Sequence, residues 1–174
     1  MSAAKFWPLA LGLLACSACM KEHNQPLANL SYLHADIGER PISFNLYFTS
    51  DLNLDEVYSK LEGGNKISQK LYCSLEPKPI FQMGHVIPNF GLGTIELANK
   101  KSDLYTYKAD LYFAETKDDG RSYKFLNQKK IITILADRQE IPCKVVMYAF
   151  RYKAYFSNTL TLPVQDILPL IPQD

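Results

Sequence analysis

The stretch LYTYKADLYF, residues 104–113, carries the alternation that decides the fold class. Large apolar or small side chains occupy every odd position in it: Tyr105, Tyr107, Ala109, Leu111 and Phe113. A period of two places such side chains on one face of a β-strand, and Lys108 and Asp110 then lie on the opposite face. The pattern predicts a strand with one face in the core.

Related patterns recur along the chain, so we expect a mostly β protein. Residues 42–49 alternate in the same way, and residues 131–135 form a continuous β-branched run typical of a strand buried on both faces. Further predicted strands lie near residues 31–37, 70–75, 94–97, 142–150 and 154–162. Asp51 or Asn53 as the N-cap, followed by apolar residues at helical spacing, predicts one short helix that ends at Gly63.

About seven strands, one helix and no βαβ rhythm favour an antiparallel β-sandwich of the immunoglobulin-like type. A closed barrel is the alternative. We expect this all-β domain to span residues 30–165. Residues 166–174 contain Pro169 and Pro172, which predict a proline-rich tail that forms neither a helix nor an inner strand.

The first fifteen residues differ in composition from the rest of the chain. Lys5 is followed by about ten uncharged residues, too few for the ~20-residue helix that spans a bilayer. A positive start followed by a short apolar run predicts a secretory signal peptide over residues 1–15. The alternative is a buried N-terminal helix, which Pro8 and Gly12 disfavour.

Two cysteines, Cys16 and Cys19, follow this apolar segment. The sequence Leu13-Leu14-Ala15-Cys16 resembles the lipobox of bacterial lipoproteins. The resemblance implies that Cys16 receives a diacylglyceryl group, that the chain is cut before it, and that acyl chains such as palmitate hold the protein to the membrane. Cys19 is the alternative lipidation site, although it lacks Leu three positions upstream. Ser17 after the modified cysteine implies sorting to the outer membrane, facing the periplasm.

Residues 16–29 are polar and irregular and contain Pro26, so they predict a flexible tether between the lipid and the domain. The net charge of +1 gives the chain no basic surplus that would favour nucleic acid as a partner. We therefore expect the acyl chains, rather than electrostatic attraction to lipid, to keep the protein at the membrane.

Cys73 and Cys143 lie in or beside predicted strands. Because the periplasm is oxidising, we predict a disulfide between them. Such a bridge would close a loop of roughly 70 residues and remove roughly 4 kcal/mol of unfolded-chain entropy. The alternative is a pair of buried free thiols whose α-carbons lie too far apart to bridge.

No motif predicts catalysis. The three histidines, His23, His34 and His85, do not pair with each other or with cysteine at metal-ligand spacing. The glycines of residues 89–94 lack the third glycine of a phosphate-binding loop, and Asp118-Asp119 is typical of a hairpin tip. We therefore expect neither a metal nor a cofactor, and no catalytic residue.

One segment predicts an interaction surface. Residues 148–156 hold five aromatic side chains and two cations. If Cys143, Val145, Met147 and Ala149 face the core, an outward ridge follows on the opposite side of the strand: Tyr148, Phe150 and Tyr152, with Arg151 beside it. Tyrosine and arginine dominate interface energetics. The alternative is that these aromatic residues fill ordinary core packing.

These observations favour a non-catalytic, lipid-anchored binding protein of the envelope with a protein partner. The lipobox and the all-β body together have the general appearance of immunity lipoproteins, which implies inhibition of a toxin delivered between bacteria. The alternative is a structural or assembly lipoprotein that belongs to an envelope complex. An enzyme would require an active site that no sequence motif indicates.

Overall fold

The computed structural model describes residues 20–172 of the 174-residue chain. The predicted signal peptide, Cys16 and Cys19 lie outside the described residues. Within them, the strands are β1 (Leu30–Ile37), β2 (Ser43–Ser50), β3 (Lys66–Ser74), β4 (Asn89–Lys101), β5 (Leu104–Lys117), β6 (Ser122–Phe125), β7 (Glu140–Ala149), β8 (Tyr155–Phe156) and β9 (Leu160–Pro163). The α-helices are α1 (Gln128–Leu135) and α2 (Val164–Ile167).

The strands form one antiparallel sheet in the order β1-β2-β5-β4-β3-β7-β8, with β6 paired to β5 and β9 paired to β7. The sheet curls until β9 lies against β1, so it is nearly closed and barrel-like. The prediction of an antiparallel all-β fold is confirmed. The two facing sheets of an immunoglobulin-like sandwich are not formed, because the β2–β5 and β3–β7 pairings keep the strands in one hydrogen-bonded sheet.

The core fills the inside of the curled sheet. The predicted inward face of residues 104–113 is confirmed at Tyr107, Ala109, Leu111 and Phe113, which are buried. Neighbouring strands contribute further side chains that are fully buried: Phe44, Leu46, Phe48, Leu71, Val145 and Met147. Alternation along each strand therefore gives one apolar inner face and one outer face on the same sheet.

The predicted disulfide is confirmed. Cys73 of β3 and Cys143 of β7 lie directly opposite each other in the sheet and are bonded, and both are fully buried. The bridge links β3 to β7 and so joins segments that lie 70 positions apart in sequence.

The strand predicted at residues 131–135 is wrong. These residues belong to α1, whose first turn is capped by Asn127, because its side-chain oxygen accepts the Lys130 N–H at 2.9 Å. Ile131 and Leu135, one helical turn apart, are buried, whereas Ile132 is exposed. A short apolar run fits a strand or a helix, and here the cap and the one-sided burial select the helix.

The predicted helix after Asn53 is reduced to a 3-10 turn, Leu54–Glu56. Asn53 caps it by accepting the Asp55 N–H at 3.1 Å. The Leu54 N–H donates to the buried Tyr107 hydroxyl at 2.8 Å, which fixes the turn to the core.

The C-terminal segment also departs from the prediction, because it is helical and packed. Helix α2 continues into a 3-10 turn, Leu168–Leu170, with Pro169 in its first turn, where a missing N–H costs no hydrogen bond. Ile167 and Ile171 are buried. Helix α2 contacts β1 and β9 and so covers the seam where the sheet does not close.

Residues 21–29, which the sequence predicts as part of a flexible tether, lie along the domain and are here named the N-terminal strap. The Lys21 N–H donates to the Arg151 carbonyl at 2.7 Å, and the Lys153 N–H donates to the Lys21 carbonyl at 3.0 Å. These bonds form a parallel bridge between Lys21 and the turn that follows β7. Ordered structure therefore begins before residue 30.

Tyr155 holds the other end of the strap. Its hydroxyl accepts the Ala28 N–H at 2.6 Å and donates to the Pro26 carbonyl at 3.1 Å. Ala28 is fully buried, and the His23 ring lies 5.5 Å from the Tyr155 ring. The strap therefore contributes side chains to the core as well as hydrogen bonds to the sheet.

Candidate binding surface

Five aromatic side chains form a continuous band across the outer face of β3, β4, β5 and β6. We name this band the aromatic stripe: Tyr72, Phe90, Tyr112, Tyr123 and Phe125. Successive ring centroids lie 6.4 Å apart for Tyr72 and Phe90, and 6.0 Å apart for Phe90 and Tyr123. The Tyr123 and Tyr112 rings follow at 6.3 Å, and Tyr112 meets Phe125 edge-on at 4.8 Å. These separations are typical of attractive aromatic pairs.

Strand alternation places the stripe on the outside of the sheet. Tyr112 faces outward because its neighbours Leu111 and Phe113 face the core. Tyr123 and Phe125 lie across from Thr116 and Ala114, two positions apart, so both point to the same outer face. The positions that pack the core thus fix the stripe on the opposite face.

Arg40 covers one end of the stripe. Its guanidinium lies 5.2 Å from the centre of the Tyr112 ring and forms an ion pair with Asp110. The Tyr112 and Tyr123 hydroxyls are 3.4 Å apart. Burial, and then the hydrogen bond with Tyr123, raises the pKa of Tyr112 above its ordinary value. The Tyr112 phenol is therefore neutral at physiological pH, and its hydroxyl lies beside that of Tyr123 at the surface of the stripe.

A groove opens along the other end of the stripe, between the sheet and the loop of residues 80–87. Its volume is about 270 Å³. Tyr72 and Tyr148 line its floor, and Phe81 and His85 line its wall. Burial raises the pKa of Tyr72, with smaller contributions from Tyr148 and Tyr123. The groove thus combines apolar walls with tyrosine hydroxyls.

A second concave site, here named the cleft, lies beside Phe125. Its volume is about 320 Å³, and its lining is almost wholly apolar. Pro41 and Ile42 form one side, and Phe125 and Leu126 form the other. The cleft and the groove lie at opposite ends of the aromatic stripe, so the three together make one extended surface.

Much of this surface is accessible to a partner. Tyr123 is 50% exposed and Phe125 is 57% exposed. Ile80, Met83 and Val86, which are also exposed, lie in the neighbouring loop. Single exposed apolar residues are ordinary, but clustered ones mark interaction sites.

The predicted ridge of Tyr148, Phe150, Arg151 and Tyr152 does not form. Strand β7 ends at Ala149, and Arg151 adopts a left-handed conformation with φ of 69°, so the alternation stops there. Tyr152 is 6% exposed, and its hydroxyl donates to the Glu62 carbonyl at 3.0 Å. The four residues therefore do not share a face.

The separated residues lie in different surroundings. Tyr148 is half-buried and lines the groove beside Tyr72. Phe150 is 56% exposed, with the Arg151 guanidinium 5.2 Å above its ring, in the turn after β7. Of the four, Tyr148 alone contributes to the candidate surface.

The histidines are separated in the fold. His23 belongs to the strap, His34 stacks on Tyr47 with ring centroids 4.4 Å apart, and His85 lines the groove. Among residues 20–172, no three side chains of His, Cys, Asp or Glu come together in a group that could hold a metal ion.

The aromatic stripe was not predicted from the sequence. The alternation in β5 assigns Tyr112 to the outer face, and the pattern Tyr123-Lys124-Phe125 after the Asp118-Asp119 turn is consistent with a short strand. Reading these two signals together would have placed three stripe residues on one face. Tyr72 and Phe90 require knowledge that β3 and β4 lie beside β5.

Comparison with known proteins found no matching family model, no similar curated protein and no similar solved structure. In the part of the chain from residue 20 to residue 172, no helix has the length and apolar character needed to cross a membrane.

Proposed function

We propose that this protein is a lipid-anchored binding protein of the bacterial envelope that holds a protein partner on its aromatic stripe. The observation that carries the proposal is the continuous aromatic stripe, which is exposed at Tyr123 and Phe125 and has Arg40 at its end. Within this role, the partner is a toxin delivered between bacteria, and binding neutralises it.

The composition of the surface supports a protein partner. Tyrosine and phenylalanine bury large areas at low cost in conformational entropy, and both they and arginine are enriched at interfaces. Tyr112 and Tyr123 also keep hydroxyl groups that hydrogen-bond at the edge of an apolar contact. Truncating a hot-spot ring of this type to alanine costs about 2 kcal/mol or more of binding free energy.

The proposed location in the bacterial envelope rests on two independent features. The sequence Leu13–Cys16 resembles a lipobox, and the Cys73–Cys143 disulfide is typical of an oxidising compartment. An acyl anchor would confine the protein to the membrane surface that an incoming toxin must reach, which raises its effective concentration there.

Metabolic labelling with an alkyne fatty acid tests the anchor. We expect label on the full-length protein, loss of label in Cys16→Ala, and retention of label in the matched Cys19→Ala variant. Label that is lost in Cys19→Ala and retained in Cys16→Ala would move the lipid to Cys19. No label on the unchanged protein would refute the anchor.

Partner capture tests the binding surface. The tagged protein is captured from its native envelope, together with Tyr123→Ala and the matched control Phe150→Ala, which removes an exposed ring outside the stripe. We expect Tyr123→Ala to lose the partner and Phe150→Ala to keep it. A captured toxin that is inhibited one-to-one supports the proposed role, whereas a large envelope complex would replace it with an accessory role. Equal capture by both variants would refute the stripe as the binding surface.

A further inference from the structure

Strand β6 borders the aromatic stripe and has one unpaired edge. Among the described residues it pairs with β5 alone, and all four of its side chains are exposed. On the same side of β5, strand β2 occupies the positions up to Tyr112 and β6 occupies those from Ala114. Strand β1 covers the far edge of β2, but within residues 20–172 no strand covers the far edge of β6.

The hydrogen-bond pattern identifies which backbone groups face this edge. The Leu126 N–H donates to the Phe113 carbonyl at 2.9 Å, whereas the Thr116 N–H points away from β6 and donates to the Pro88 carbonyl at 2.8 Å. Residues alternate between the two edges of an antiparallel strand. The N–H and C=O groups of Tyr123 and Phe125 therefore point to the unpaired edge, while those of Lys124 point to β5.

A segment of another chain could pair with this edge as an added strand. The surroundings of the edge favour a segment that has an acidic residue with an apolar residue immediately before and after it. Residues opposite Tyr123 and Phe125 in an added strand would pack on those rings, and the cleft beside Phe125 has room for an apolar side chain. The residue opposite Lys124 would instead lie on the other face of the added strand.

That other face carries surplus positive charge. Glu115 lies directly across from Lys124 and is already paired with Lys117, at 2.7 Å, and with Lys130. Two lysines thus share one carboxylate, and among residues 20–172 Lys124 has no ion-pair partner of its own. An acidic side chain opposite Lys124 in an added strand would form a cross-strand ion pair with it and offset part of this positive charge.

We infer that β6 is the docking edge for an extended, acidic segment of the protein partner, which adds a strand to the sheet beside the aromatic stripe. The segment has an acidic residue opposite Lys124 and apolar residues on either side of it. Backbone hydrogen bonds to Tyr123 and Phe125 hold the strand, and the side chains select it. This inference rests on the proposed function, because it specifies how the partner meets the stripe.

A second copy of this chain fits the edge poorly. Symmetric antiparallel pairing of two β6 strands that uses both Tyr123 and Phe125 places Lys124 directly opposite its own copy. Like charges at opposed positions destabilise a strand pair. The surplus charge thus favours a partner segment over self-association.

The test uses the full chain and two fluorescent peptides, Thr-Val-Glu-Val-Thr and its control Thr-Val-Lys-Val-Thr, with binding measured by fluorescence anisotropy. We expect the Glu peptide to bind roughly threefold to tenfold more tightly, and Lys124→Glu to reverse this preference.

A second pair of variants tests the backbone hydrogen bonds of the added strand. Phe125→Pro removes the ring and the edge-facing N–H, whereas Phe125→Ala removes the ring alone. We expect Phe125→Pro to bind the Glu peptide roughly tenfold more weakly than Phe125→Ala.

Equal binding of the two peptides, or a preference that Lys124→Glu does not change, would overturn the docking edge. Equal affinities of Phe125→Pro and Phe125→Ala would overturn the added strand. These results are separable from the proposed function: if Tyr123→Ala still abolishes partner capture, the stripe binds the partner in another way. If neither the peptides nor the partner respond to these variants, both proposals fail.

Discussion

Gly91 of β4 lies directly opposite Cys73 of β3, and a Cβ added to Gly91 would stand 3.0 Å from the Cβ of Cys73. The same atom would lie 3.1 Å from the Phe113 ring and 3.2 Å from a methyl group of Leu111. Real Cβ contacts are rarely this short. The absence of a side chain at Gly91 therefore gives the disulfide and its neighbours room to pack.

Gly91→Ala is expected to destabilise the protein by about 1–3 kcal/mol, because it overpacks the core beside the disulfide. The control is Gly93→Ala in the same strand, whose added Cβ would lie no closer than 3.3 Å to its neighbours, so a smaller loss is expected. Urea denaturation measures both. A Gly91→Ala variant as stable as Gly93→Ala would contradict the close approach.

Replacing Cys73 and Cys143 together by alanine is expected to lower the free energy of unfolding by about 4 kcal/mol, because the bridge restricts a long loop in the unfolded chain. Denaturation with and without reductant is the measurement. The unchanged protein should lose stability on reduction, and the double variant should not respond. A reductant-insensitive native protein would argue against the bridge.

Tyr155→Phe is expected to loosen the N-terminal strap, because it leaves the Ala28 N–H and the Pro26 carbonyl without their partner. The expected cost is about 1–3 kcal/mol, with faster hydrogen exchange at the Ala28 amide. Tyr152→Phe is the control, since its hydroxyl bonds to Glu62 instead. Unchanged exchange at Ala28 in Tyr155→Phe would show that the hydroxyl does not hold the strap.

Tyr152 and Phe150 lie two positions apart, but truncation should destabilise the protein strongly at Tyr152 and hardly at all at Phe150. Tyr152→Ala removes a buried ring and is expected to cost about 3–5 kcal/mol. Phe150→Ala removes an exposed ring and should change stability by about 0.5 kcal/mol or less. Thermal unfolding of the two variants measures this difference, and similar melting temperatures would place Tyr152 at the surface.

Glu115 should titrate unusually low. Hydrogen bonds from Lys117 and then Lys130 lower its pKa from 4.5 to about 2. Because the folded-state pKa lies below the unfolded one, this stabilising contribution is present above about pH 4.5 and is lost as the pH falls toward 2. Lys117→Met should raise the Glu115 pKa, as followed by NMR of its carboxyl carbon. Lys124→Met, which removes no hydrogen bond to Glu115, is the control and should leave the pKa nearly unchanged.

Local periodicity was sufficient for the strands that have one buried face. The inner face of β5 follows from alternation alone, and the Cys73–Cys143 bridge was predicted from the strand positions of both cysteines and the expected oxidising compartment. Helix α1 did not follow, because a short run of four apolar residues and one threonine, residues 131–135, fits either periodicity. Its cap at Asn127 was the missed local signal.

Strand order lies beyond local pattern. A sandwich and a nearly closed sheet need the same alternating strands, and they differ in which distant strands pair, such as β2 with β5. The aromatic stripe depends on the same information, because Tyr72 and Tyr112 share a face through the β3–β4–β5 order. The strap was likewise hidden, since its polar sequence finds hydrogen-bond partners about 130 positions away.

The parallel bridge at Lys21 has a mechanical consequence under the proposed N-terminal lipid anchor. Tension applied to the N-terminus would reach the domain at the backbone bonds with Arg151 and Lys153, before the bonds at Tyr155. The strap would thus detach from the domain starting at Lys21, and the free N-terminal segment would lengthen before the sheet is loaded. The β3–β7 pairing, clamped by its covalent cross-link, would be shielded from the pull.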